Sequence, residues 1–199
     1  MFFTLKNILN HLDWWKQLEP QWKEAFKVSI LRHFDEPNPV ELGELHNLRT
    51  IRLAGPTASY PNIQFELTNL SGIQHLSNLE IVIVTHHKIV GIEVLSNLRQ
   101  LKSLFLFNNC IKSLKGIEAL TQLEQLYVHC NEITSIKPIE HLVNLKEFYI
   151  NDNFIATLDG LTEKHSDKLL RFICRPNVRL KQKEIIRAER ELGIICRGS

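Results

Sequence analysis

Apolar residues return along this chain at a fixed step of 22. Leu79, Leu101, Leu123 and Leu145 form one column, and Val82, Leu104, Leu126 and Phe148 the next. Val84, Leu106, Val128 and Ile150 follow, then Ile89, Ile111, Ile133 and Ile155, and Ile92, Leu114, Ile136 and Leu158 close the unit. One polar column runs through them: His87, Asn109, Asn131 and Asn153. A period held over so many columns marks a repeat architecture, in which no single unit can bury its apolar face alone. Around Leu104 and Leu106 the alternation has period two, the mark of a strand. It predicts six strands, near residues 49–54, 80–85, 102–107, 124–129, 146–151 and 169–173.

The unit reads L-x-x-L-x-L-x-x-N-x-I-x-x-L. It resembles the leucine-rich repeat, in the 22-residue SDS22-like form shared with bacterial internalins, over residues 45–174. The resemblance implies an α/β fold: a leucine-rich repeat solenoid whose parallel strands form a curved sheet with outward side chains on the concave face. It also implies that Asn109, Asn131 and Asn153 are scaffold, their amides bonding backbone groups of neighbouring turns. Two repeats depart from the pattern. The first, with Leu45, Leu48, Ile51, Leu53, Leu67 and Leu70, fits only if nine extra residues fall between Ala54 and Gln64. Pro56, Pro61 and Asn62 mark that stretch as a loop, and Phe65 stands in the Asn column. In the last repeat the same frame puts Leu170 and Phe172 inward and Arg175 in the Asn column.

A solenoid exposes its core at both ends and needs caps. The expected division is a helical N-terminal cap over residues 1–40, repeats over 41–174 and a helical C-terminal cap over 175–199. Leu5, Ile8, Leu12 and Trp15 step at helical spacing. Pro20 opens a second helix carrying Trp22, Phe26 and Ile30. The segment LEPQWKEAF resembles stretches ahead of the repeats in bacterial leucine-rich repeat proteins, which implies a bacterial source. After Pro176, residues 178–193 read as a helix closed by Gly193, with Ile185, Ile186 and Leu192 covering the last repeat. The closing Arg-Gly-Ser receives no assignment.

Composition narrows the function. No apolar run approaches the ~18 residues of a membrane span, and the N-terminal stretch lacks the charged region of a signal peptide. Cys110, Cys130, Cys174 and Cys196 form no C-x-x-C pair, so free thiols in a reducing, cytoplasmic setting are expected; a Cys110–Cys130 disulfide is the weaker alternative. Net charge is +2, yet residues 162–199 carry ten Lys and Arg against five Asp and Glu. A solvated helix face explains that basic tail more simply than nucleic acid does. Phosphate loops, H-E-x-x-H and G-x-S-x-G are absent, and the histidines are scattered. The expectation is a non-enzymatic chain with no cofactor and no metal.

The outward columns hold the unusual feature. A solvated strand face is normally polar. Here the middle column reads Arg52, Ile83, Phe105, Tyr127, Tyr149, Arg171. Beside it run Ala54, Thr85, Phe107, His129, Asn151, Ile173 and Thr50, Ile81, Ser103, Gln125, Glu147, Leu169. Ile83, Phe105, Phe107, Tyr127, His129 and Tyr149 are therefore the candidate protein-binding residues, bracketed by Arg52 and Arg171. The competing reading is cross-strand packing that only stabilises the sheet. A monomeric module docking a protein or peptide is the expected function. A nucleic-acid-associated scaffold using the basic tail and a bacterial effector acting on host proteins are the alternatives.

Overall fold

The computed structural model describes residues 5–198, with side chains from residue 10 onward. The positions of Leu5 and Ile8 on the cap helix therefore lie outside the described side chains. Seven strands stack in chain order as one parallel sheet: β1 (Thr50–Ala54), β2 (Ile81–Thr85), β3 (Ser103–Phe105), β4 (Gln125–Tyr127), β5 (Glu147–Tyr149), β6 (Arg171–Arg175) and β7 (Cys196–Gly198). Ile51, Val82, Leu104, Leu126 and Phe148 are successive register partners, and none has exposed surface. Stacking one repeat's inward leucine on the next is what builds the continuous core.

Strands β2 to β5 are each followed by a turn whose first residue has positive φ: His86 (61°), Asn108 (53°), Cys130 (54°) and Asp152 (53°). Next comes the polar column. The Asn131 carboxamide oxygen accepts from the Ile111 N–H at 2.9 Å, and its Nδ2 donates to the carbonyls of Leu106 (3.0 Å) and Val128 (3.1 Å). Asn109 and Asn153 repeat this pattern one unit away on each side. These amides are buried, and each bonds backbone groups of two turns, neighbouring amides sharing the Leu106 and Val128 carbonyls.

The last repeat corrects the sequence frame. Glu147 pairs with Arg171, Phe148 with Phe172 and Tyr149 with Ile173, a step of 24 residues. The short helix α4 (Glu163–Ser166) lies between Leu161, still in the 22 frame, and Leu169, and takes up the two extra residues. Leu169 is thus buried and not outward, while Leu170 is 72% exposed and not in the core. Asn177, not Arg175, holds the Asn column: its Nδ2 donates to Ile150 O (2.9 Å) and Cys174 O (2.8 Å). A two-residue shift conserves strand parity, so Phe172 points inward in either frame and hid the slip.

Four elements cap the N-terminal end: α1 (Leu5–Gln17), α2 (Pro20–Phe26), a π-helical turn over Lys27–Leu31, and α3 (Pro39–His46). The tryptophans are cap core, as expected. Trp22 is fully buried and lies so close over Gly72 that a Cβ there would sit 2.1 Å from its ring. Its Nε1 donates to the Asn69 side chain at 3.2 Å. Helix α3 was not anticipated, although Asn38 and Glu41 form a reciprocal capping box around Pro39, a signal present in the sequence. At the other end α5 (Gln182–Arg190) covers the sheet with Ile185 and Ala188. Ile186, expected to help, is 42% exposed. Gly193 (φ 68°) ends this segment, and the closing Arg197–Gly198 belongs to β7, a strand too short to show a period.

The inserted loop after β1 has a structural task. Asn62 Oδ1 accepts from Ala54 N–H at 2.6 Å, and its Nδ2 donates to Arg52 O at 2.7 Å. The N–H groups of Asn62 and Ile63 donate to Ala54 O. These are the ladder groups of the first strand that face away from β2. The loop thereby pairs the C-terminal part of the open edge of the sheet.

Candidate binding surface on the concave face

The outward side chains of β2 to β5 and the turns that follow them meet as the sequence predicts. Ile83, Phe105, Tyr127 and Tyr149 are in direct register. Phe105 meets the Tyr127 ring edge-on at 4.8 Å, and Tyr127 stacks on Tyr149 at 4.0 Å with 25° between planes. Phe107 stacks on His129 at 4.7 Å, with His86 edge-on to Phe107 at 5.5 Å. His129 lies 6.4 Å from Tyr127 and 6.1 Å from Tyr149, joining the two rows. All six candidates are half-buried and none is fully exposed. Their rings cover one another, so part of their contribution is sheet packing.

The expected flanks change with the corrected register. Ile173, not Arg171, is the partner of Tyr149, and Arg197 is the next in that row. Arg171 instead stands opposite Glu147 and donates to the Tyr149 hydroxyl at 3.2 Å. The step to Asn177 was the signal that would have placed both arginines. At the opposite end Arg52 donates to the Tyr60 carbonyl at 2.6 Å, and Tyr60 itself projects with 81% of its surface exposed.

A polar row borders the rings. Ser103 donates to Gln125 Oε1 at 2.8 Å. The Tyr127 hydroxyl donates to the Glu147 carboxylate. Burial, then that hydrogen bond, pushes the Tyr127 phenol well above its ordinary range. Burial pulls His129 and His86 below the ordinary imidazole value. The surface therefore presents neutral aromatic groups at pH 7. Among the described residues no group of three or more His, Cys, Asp or Glu is placed to hold a metal. Cys110, Cys130, Cys174 and Cys196 are free thiols. A cavity of about 460 Å³ opens between the return segments, lined by Lys112, Lys115, Glu118, Lys137 and Glu140. Lys137 is paired there with Glu140 at 2.7 Å. No described helix is long and apolar enough to cross a membrane.

The family model "Leucine Rich repeats (2 copies)" matches residues 99–141 and 124–163. Comparison with curated proteins finds no match. Among solved structures, an internalin of Listeria monocytogenes, InlF, shares 22% identity with a TM-score of 0.58. That match covers 67% of this chain but only 39% of the internalin, so this chain spans well under half its length. Internalin C2 of the same organism shares 16% identity over 91% of this chain and 93% of its own, with a TM-score of 0.48. Leucine-rich repeat folds generally serve as protein-interaction scaffolds. Residues 99–163 thus carry matched leucine-rich repeats, and the stacked parallel strands share the leucine-rich repeat fold.

Proposed function

We propose that this chain is a monomeric, non-enzymatic interaction module that docks a protein or peptide on its concave face, working inside the bacterial cytoplasm. The observation that carries the reading is the unbroken run of Ile83, Phe105, Tyr127 and Tyr149 across four adjacent strands, widened by Phe107 and His129. Aromatic residues dominate interface energetics because they desolvate large area at small entropic cost, and energy concentrates at central positions. Tyr127 is central: it touches Phe105, Tyr149 and Glu147. Recognition proceeds by shape and ring contact, with no bond made or broken.

The test is Tyr127→Ala measured by titration calorimetry against a partner captured from the source cell, beside thermal melts. Affinity should fall by about 2 kcal/mol or more, roughly thirtyfold, while the melt moves little. Unchanged affinity with a large drop in melting temperature would reduce the rings to cross-strand packing. For the alternative use of the basic tail by nucleic acid, Arg187 on α5 is already engaged with Glu184 (3.4 Å) and Asp159 (3.8 Å).

A further inference from the structure

The charge on the concave face is not evenly spread. Over β2 and β3 and the turn beyond β3 the outward side chains include Ile81, Ile83, Phe105 and Phe107, and no ionised group stands among them. Over β6 and β7 stand Arg171, Arg175 and Arg197, all exposed. Arg171 donates to the Tyr149 hydroxyl and Arg175 to the Cys196 carbonyl at 3.0 Å. Those contacts orient two guanidinium groups and neutralise neither. Among the described residues, none of the three arginines takes part in an ion pair. Glu147 is the carboxylate of the outward strand columns, and it already accepts from Tyr127 and from Gln125 at 3.5 Å.

From this gradient we infer that the occupant is an extended partner segment carrying both apolar and acidic side chains, its apolar part over β2–β4 and its carboxylates over β6–β7. The inference rests on the reading of this face as the binding surface. Guanidinium groups match carboxylates in bidentate geometry, and each such pair fixes direction as well as adding energy. From β3 to β7 are four strand spacings, about 19 Å. About six extended residues cover that distance, so one short segment can reach both ends. A nucleic acid fits less well. Its phosphates repeat along the whole strand, whereas three outward arginines cluster over β6 and β7 and Arg52 stands alone on β1, donating to the Tyr60 carbonyl. The tyrosine faces it would use for base stacking are also turned on one another.

The test uses the full chain as bait for a random dodecapeptide library displayed on phage, with synthetic copies of selected peptides titrated by fluorescence anisotropy. Selected peptides should combine aromatic or aliphatic residues with Asp or Glu. They should lose about tenfold or more in affinity for the double variant Arg171→Glu, Arg197→Glu, a change of about 1.4 kcal/mol. Replacing their acidic residues by Lys should restore binding to that double variant. Peptides weakened by Tyr127→Ala but indifferent to the arginine reversal would overturn the acidic occupant and leave the binding surface standing. Peptides indifferent to both changes, or no enrichment at all, would overturn both. A thymidine oligonucleotide that binds with steep salt dependence and is lost on arginine reversal would replace the peptide with nucleic acid.

Discussion

His87 stands one repeat before Asn109 and does the same work with a different side chain. Its Nδ1 accepts from the Leu67 N–H at 3.2 Å and its Nε2 donates to Leu53 O at 3.3 Å, as Asn109 accepts from Ile89 and donates to Val84. The pairing needs a neutral imidazole with its proton on Nε2. Burial lowers its pKa from 6.5 to about 4, against a smaller opposing pull from the Leu53 carbonyl.

That substitution makes the fold acid-sensitive. The folded pKa lies below the unfolded value, so the unfolded chain binds more protons between pH 6.5 and 4. The contribution is whole above about pH 6.5 and drains away as pH falls towards 4, by about 3 kcal/mol at most. His46, lowered to about 4 by burial and then by its neighbours His11 and His75, adds in the same direction. Urea unfolding of His87→Asn across this range should show a shallower pH slope than wild type and similar stability at pH 8. An unchanged slope would remove His87 as the source.

Leu126 and Gln125 are neighbours on β4 with opposite outlooks. Leu126→Ala should cost about 2–5 kcal/mol, since it empties a fully buried position. Gln125→Ala gives up hydrogen bonds to Ser103 and Glu147 on a half-buried face and should cost under about 1 kcal/mol. Equal losses in chemical denaturation would contradict the register.

Gly72 couples the helical cap to the solenoid. An added methyl would meet the Trp22 ring at 2.1 Å, and that ring is enclosed on every side. Gly72→Ala should therefore destabilise by about 1–3 kcal/mol through overpacking and raise the tryptophan fluorescence response early in a melt. Deletion of residues 1–34 should go further and cause aggregation, read by light scattering.

Asn131 tests the ladder. Asn131→Ala leaves the Ile111 N–H without a partner and takes one of two amide donors from each of the Leu106 and Val128 carbonyls. The loss should reach about 3 kcal/mol or more, with hydrogen exchange quickening in both adjoining turns.

Much of this was legible because a solenoid writes its core as a period. Every inward column from Leu79 to Leu158 and the meeting of Phe105, Tyr127 and Tyr149 follow from a 22-residue step and strand alternation. What failed lay where the period ends. The 24-residue step before Arg171 was hidden by conserved parity, and β7 was too short to alternate. The same slip moved Arg171 out of the tyrosine row and left Arg197 unseen, so the cationic end of the surface was underestimated.

The bonds from Asn62 to Arg52 and Ala54 give the solenoid a defined beginning. Repeats between β2 and β5 stack in one unbroken register with the same 22-residue step, so an added unit of that length would keep the columns aligned. Ahead of β1 the chain's own loop already occupies the Ala54 N–H and the Arg52 and Ala54 carbonyls that an added strand would need. A unit inserted in the middle meets matching neighbours, whereas one added ahead of β1 would have to displace this loop.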